Sequence, residues 1–274
     1  MLRLWETPGR LESLFLELLD DPSKKELLLY PICYCQAVRR LGDFEVPLKS
    51  LLRCTDKSYR FTRVSWQDHL LELDLFLLKD KRGRTFRGKE ILALCDEEGL
   101  RAELLPEYRD EFYGFYARLL KYWTVLSSAS PYENEPPETL SAKLAVKAFN
   151  EGLYKEVRLY ASLCSQRYPS ARDFFTALKL LAEFYEAYQE GKLKEENLKK
   201  ARALLSVLGP RFLGVNLRCL KRELDRLLKS LKRGTVYPIK LTFSESHGVK
   251  PFKKLLNFLL KPFRRSSSAD ERVL

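Results

Sequence analysis

TLSAKLAVKAFNEG, residues 139–152, opens the run that decides the fold. Leu140, Leu144, Ala145, Ala148 and Phe149 recur at helical spacing, and Gly152 stands where a left-handed residue ends a helix. LYKEVRLYASLCSQRY (153–168) is a second helix, stopped by Pro169. A third, ARDFFTALKLLAEFYEAYQE (171–190), is capped by Ser170 and ended by Gly191. A fourth runs from Lys194 to Leu208 and stops at Gly209-Pro210. Asn216 caps a fifth, LRCLKRELDRLLKSLK (217–232). The loops are short, so consecutive helices are expected to lie antiparallel in a bundle.

Phe149, Asn150, Gly152, Tyr154 and Glu156 follow the order F-N-x-G-x-[YF]-x-E. Arg172, Phe174, Leu178, Leu181 and Ala182 form a second motif, and Gly191, Ala201, Leu204 and Leu205 a third. FLGVNLRCL (212–220) and YPIKL (237–241) close the series. In this order the stretch 139–241 resembles a small all-helical bacterial and archaeal family of unknown function, whose signature continues to a histidine. The resemblance implies a helical fold and no assigned activity. The histidine position holds Arg158, and nearby positions that are acidic or tryptophan in the family hold Leu159, Ser162 and Ser165. A catalytic or metal site built on that histidine would be lost here, because arginine binds no metal and is no base near neutral pH. Asn150, Glu156, Arg158 and Arg172 remain. They are expected either as a capping and ion-pair cluster fixing the helix corner or as an anion pocket built on the two arginines.

Upstream, RLESLFLELLDD carries an apolar stripe of Leu11, Leu14, Phe15 and Leu18, and Asp21-Pro22 ends it. Ser23 is expected to cap the next helix, ELLLYPICYCQAVRRLG, in which Pro31 forces either a kink or a later start. VPLKSLLRC is a short helix with Pro47 near its start. SYRFTRVSW reads as a strand or as the lead into a helix of WQDHLLELD. LDLFLLKDKRGRTFRG reads as a β-hairpin with arm Leu73–Leu78 and turn KDKRG. ILALCDEEGLRAELLPEY is expected to return to helix. DEFYGFYARLLKYWTVLSS is an amphipathic helix with an aromatic face of Phe112, Phe115, Tyr116, Tyr122 and Trp123.

Three helices followed by a hairpin is the order of a winged helix-turn-helix. The hairpin carries Lys79, Lys81, Arg82, Arg84, Arg87 and Lys89, and a basic wing clamps phosphates. A plain α+β domain with a solvated turn is the alternative. Gln67, Asp68 and His69 are the only polar candidates for reading bases, and His69 is expected at the surface or in an interface. SSASPYENEPPE (127–138) is the linker, which divides the chain into an N-terminal α+β domain (1–126), a helical bundle (139–242) and a basic tail (243–274). The fold class expected is mainly α.

The 274 residues carry 49 Lys and Arg against 37 Asp and Glu, a net charge of +12. Residues 131–274 hold 28 basic and 16 acidic side chains, which is the whole excess. Such a field suits nucleic acid, an acidic protein or an anionic membrane. Six scattered cysteines, no secretory signal and no spanning apolar run point to a cytoplasmic protein with reduced thiols. Cys33, Cys35, Cys54 and His69 match no common zinc spacing, so no metal is expected. One Met among abundant Lys, Glu, Arg and Leu leans toward a thermophile.

In the tail, Phe252, Leu255, Leu256, Leu259, Leu260 and Phe263 form one apolar stripe flanked by lysines and arginines. It is expected to dock on its own bundle, on a partner protein or on an anionic membrane surface. Nucleotide-cradling glycine motifs, G-x-S-x-G and H-E-x-x-H are absent, and His69 and His247 stand far apart. No catalytic residue, cofactor or enzyme activity is expected. The leading expectation is binding of DNA or RNA through the basic wing and the fifth helix, with Arg218, Lys221, Arg222, Lys229, Lys232 and Arg233 as its contacts. A protein- or membrane-docking scaffold is the second reading, and a degenerate hydrolase the third.

Overall fold

The computed structural model describes residues 9–58, 65–129 and 134–243. The chain opens with α1 (Arg10–Asp20), whose Leu11, Leu14, Phe15 and Leu18 are all buried. Asp21, rather than Ser23, caps the next turn by accepting from the Ser23 amide. That turn is a 3-10 segment (Pro22–Leu28), and α2 (Leu29–Leu41) follows, ending at left-handed Gly42. Pro31 therefore sits in the first turn of α2, where no intrahelical partner for its nitrogen is needed. The late start is the branch that holds.

Strand β1 (Val46–Pro47), α3 (Leu48–Ser58), α4 (Trp66–Leu73), β2 (Phe76–Lys79) and β3 (Thr85–Phe86) follow in order. A 3-10 turn (Gly88–Ala93) leads to β4 (Arg101–Leu104). The sheet is antiparallel in the order β1-β4-β2-β3, with Val46 opposite Ala102 and Leu78 opposite both Ala102 and Phe86. β4 replaces the helix expected across 91–108. Arg101-Ala102-Glu103-Leu104 alternates, with Ala102 and Leu104 buried and the charged pair turned outward. That period of two wins over the helix preference of Ala, Glu and Leu once β1 and β2 stand ready to pair.

A short α5 (Pro106–Arg109) leads to α6 (Phe112–Ser127), whose five expected aromatics are all buried. Then come α7 (Pro137–Asn150), α8 (Tyr154–Arg167), α9 (Arg172–Gln189), α10 (Glu195–Ser206), a hairpin of β5 (Arg211–Phe212) and β6 (Val215–Asn216), and α11 (Leu217–Leu231). Each of these helices packs on the next. Asn216 caps α11 by accepting from the Cys219 amide at 3.1 Å. Ser170 caps nothing: it lies in a 3-10 turn, and its hydroxyl donates to Glu138.

Helix α1 packs on α6, α7 and α8, and Phe15 stacks on Tyr122 with ring centroids 4.0 Å apart. The parts before and after 127–138 thus share one core, and the chain through Ser244 forms one compact unit. The basic tail, with Phe252, Leu255, Leu256, Leu259, Leu260 and Phe263, lies outside the described residues.

Candidate functional site

The four polar residues left from the signature do not converge. Asn150, at the end of α7, reaches the segment after α11, donating to Leu241 O at 2.8 Å and accepting from Leu241 N at 2.9 Å. Glu156 points the other way, into the α1–α6–α8 junction, where it is 2% exposed. It accepts from Arg118 Nε at 2.9 Å and from the Tyr122 hydroxyl at 2.6 Å. Arg158 pairs with Glu186 on α9 at 2.7 Å. Arg172 is exposed at the start of α9. The two arginines are not joined on a common partner: Asn150, Glu156 and Arg158 each hold a different part of the fold, and Arg172 stands at the surface.

Arg118 was invisible to motif reading. It bridges Glu156 and Glu12, with Nη2 2.8 Å from Glu12 Oε1, and Lys155 reaches the same oxygen at 2.8 Å. Burial alone would raise the Glu12 carboxyl, but hydrogen bonds from Lys155 and Arg118 outweigh it and bring the group to about 2. Burial and the neighbouring Glu156 push the Tyr122 hydroxyl well above its ordinary range. Every group in this cluster is paired, so it holds the fold rather than a ligand.

The cysteine and histidine set behaves differently from the sequence expectation. Cys33 on α2 and Cys54 on α3 form a disulfide, Cα atoms 6.1 Å apart, so these thiols are not reduced. Cys35 and Cys164 are buried and free, and Cys95 is exposed. His69 is buried rather than at the surface, with Nδ1 2.9 Å from the Tyr30 hydroxyl, and burial lowers its pKa. Among the described residues no group of three or more His, Cys, Asp or Glu could hold a metal ion, and no helix is long and apolar enough to cross a membrane.

The hairpin tip is built by Asp80, which accepts from the amides of Arg82 and Arg84 at 2.8 and 2.9 Å, while Gly83 takes φ 78°. Half of the expected wing cations are engaged: Lys79 with Glu45 at 2.6 Å, Arg84 with Asp80 at 2.8 Å, Arg87 with Asp74 at 3.3 Å. Lys81, Arg82 and Lys89 are exposed, the Lys81 stem lying against Gly99. On α4, Gln67 donates to Leu94 O, His69 is buried, and Glu72 pairs with Lys24. The remaining polar face carries Asp68 and the Lys24-paired Glu72, and α4 has no Lys or Arg to meet a phosphate.

Helix α11 presents a basic surface. Leu217, Leu220, Leu224, Leu227 and Leu231 face inward. Arg218, Arg222, Arg226 and Lys229 fall at i, i+4, i+8 and i+11 on the outer side, and Arg233 follows just past the helix end; all five are exposed. The line spans about 16 Å along the helix at 1.5 Å per residue. Glu223 pairs with Arg226 at 2.7 Å, which engages one cation of the line, and Asp225 pairs with Arg202 of α10 at 2.8 Å. Lys221 leaves this line, because its ammonium donates to Leu208 O at 2.7 Å. Arg226 was missed in the sequence, although its step of four from Arg222 marks it. Arg211 and Arg218 flank a cleft of about 140 Å³ with Pro210 and Asn216, which extends the basic surface beyond the helix start.

No family model and no solved structure matches the chain. Over 263 residues it is 44% identical to a protein of Aquifex aeolicus (strain VF5) described only as "Uncharacterized protein", an alignment covering 94% of this chain and 85% of that relative. Identity of that extent is shared descent along nearly the whole length, and the chain belongs to the same family as the Aquifex aeolicus protein.

Proposed function

We propose that this is a non-enzymatic protein that binds the phosphate backbone of nucleic acid, without sequence preference, along α11. The observation that carries the reading is the line Arg218, Arg222, Lys229 and Arg233, exposed on one side of a helix, with Arg226 in the same line paired to Glu223 and the other nearby acid, Asp225, held by Arg202. A row of cations on a rigid helix is the electrostatic footprint of a backbone binder. Lys81, Arg82 and Lys89 give a second, smaller basic patch at the hairpin.

The order α2, β1, α3, α4, β2, β3 and β4, with β4 between β1 and β2, resembles that of a winged helix with an added edge strand and supports reading the N-terminal part in that way. Its acidic α4 assigns binding to the wing and α11 rather than to base reading. A cytoplasmic location goes with this reading. A disulfide is compatible with that compartment in hyperthermophiles, the direction in which the Lys- and Glu-rich, Met-poor composition points.

The test is fluorescence-anisotropy binding of the full chain to mixed-sequence oligonucleotides across a salt series. Arg218→Glu, Arg222→Glu and Lys229→Glu, combined, should weaken binding to all sequences and flatten the salt slope by about 1 for each cation removed from the phosphates. Failure of the wild-type chain to bind near physiological salt would end the proposal.

A further inference from the structure

Where α9 and α11 end, next to Arg233, lies a cleft of about 210 Å³ lined by Tyr188, Gly191, Lys192, Leu193, Leu231, Gly234 and Val236. Tyr188 is 46% exposed and Leu193 55%, an unusual pair of large apolar groups left open next to each other. The cleft sits where two helices end. α9 closes at Gly191 (φ 75°), with Lys192 N donating back to Ala187 O, and α11 closes at Gly234 (φ 72°), with Gly234 N donating to Leu231 O. Both glycines use the left-handed conformation to turn the chain away, and Gly234 has nothing within reach of an added Cβ, so the floor stays open.

The cleft is lined by residues at two helix C-termini, where the dipole favours cations over anions. A phosphate is therefore disfavoured inside it. The rim is the reverse: Lys232 and Arg233 are exposed at the turn that bounds it, while Lys192 in its wall is paired with Glu190 at 3.0 Å. An apolar, aromatic-walled slot that rejects phosphate, at the end of a line of cations that attracts phosphate, matches one ligand chemistry. A nucleic-acid strand combines an anionic backbone with flat, uncharged rings, and aromatic platforms beside basic tracks are how single strands are held.

Building on the α11 reading, we infer that the chain binds single-stranded rather than duplex nucleic acid, and that one unstacked base enters this cleft and stacks on Tyr188. The backbone then runs along Lys229, Arg226, Arg222 and Arg218. A duplex keeps its bases stacked inward and can use only the basic line.

The experiment compares a mixed-sequence single-stranded RNA 12-mer with the duplex of the same sequence, each fluorescently labelled, on the full chain. Tyr188→Ala should weaken single-strand binding about tenfold, Tyr188→Phe should restore it, and duplex binding and both salt slopes should stay unchanged. A 2-aminopurine placed in the strand should change its fluorescence with the wild-type chain and not with Tyr188→Ala. Equal single-strand affinity of wild type and Tyr188→Ala, with the charge-reversal effect on α11 intact, would overturn the cleft inference alone. Absence of binding to either probe would overturn both readings.

Discussion

Arg118 and Glu156 meet through one oxygen: Nε and Nη2 of the guanidinium lie 2.9 and 2.7 Å from Glu156 Oε1. The pair ties α6 to α8, and the same guanidinium reaches Glu12 on α1. Arg118→Met removes the shared cation and leaves Glu156 buried with only the Tyr122 hydroxyl beside it. Removing one partner of a buried pair costs about 3–5 kcal/mol, because the other charge stays desolvated. Glu156→Gln keeps an acceptor for Tyr122 and leaves Arg118 paired with Glu12, so its loss should be smaller. Urea denaturation of both variants checks the order; a larger loss for Glu156→Gln would contradict it.

Glu12 gives the same cluster a pH dependence. Its folded carboxyl is held at about 2, against an ordinary value of 4.5. A depressed carboxylate stabilises the fold above its unfolded pKa and loses that contribution as pH falls toward the folded value. The window is therefore from about 4.5 down to about 2, and the full contribution is roughly 3 kcal/mol. Glu12→Gln should flatten the acid limb of stability against pH and lower stability at neutral pH. An unchanged acid limb would place the titration elsewhere.

The disulfide is open to direct chemical test. Cys33 and Cys54 are 21 residues apart, and closing a loop of that size stabilises by about 3 kcal/mol in the chain-entropy account. A reducing agent, or Cys33→Ser with Cys54→Ser, should lower the unfolding midpoint, and the reductant should then have no effect on the double variant. Burial pushes the Cys35 thiol far up and the Cys164 thiol to about 12, so native alkylation should label exposed Cys95 first. Rapid labelling of Cys33 without reductant would show the pair to be open.

The helical run was legible because its punctuation is local. Gly152, Gly191, Pro169 and Asn216 end or begin helices through their own backbone or side-chain chemistry, which no distant residue has to supply. β4 was not legible, because four residues of high helix preference become a strand only when β1 and β2 bracket them. Arg118 was hidden for a related reason: its partners sit 106 and 38 residues away, and no spacing rule links them. The basic line of α11 was half visible. Its period picks out Arg218, Arg222, Arg226 and Lys229, but only the fold shows Lys221 turned to Leu208 O and Arg226 paired with Glu223.

Asn150 supplies a last prediction, because one side chain holds a whole segment in place. After α11 residues 235–242 belong to no helix or strand, and Ile239 and Leu241 are buried. Asn150 grips Leu241 by both its N–H and its C=O, and the Tyr185 hydroxyl does the same two residues earlier, donating to Tyr237 O at 2.8 Å and accepting from Ile239 N at 2.9 Å. An amide side chain can mimic a strand neighbour in this way, and aspartate cannot, since it lacks the donor. Asn150→Ala should cost about 2 kcal/mol through the removal of two hydrogen bonds, and Asn150→Asp nearly as much despite its similar shape. Amide hydrogen exchange at Leu241 should speed up in both variants, while exchange within α8 and α9 stays slow. If instead the whole bundle exchanged faster, residues 236–243 would be part of the cooperative core rather than a strap laid on it.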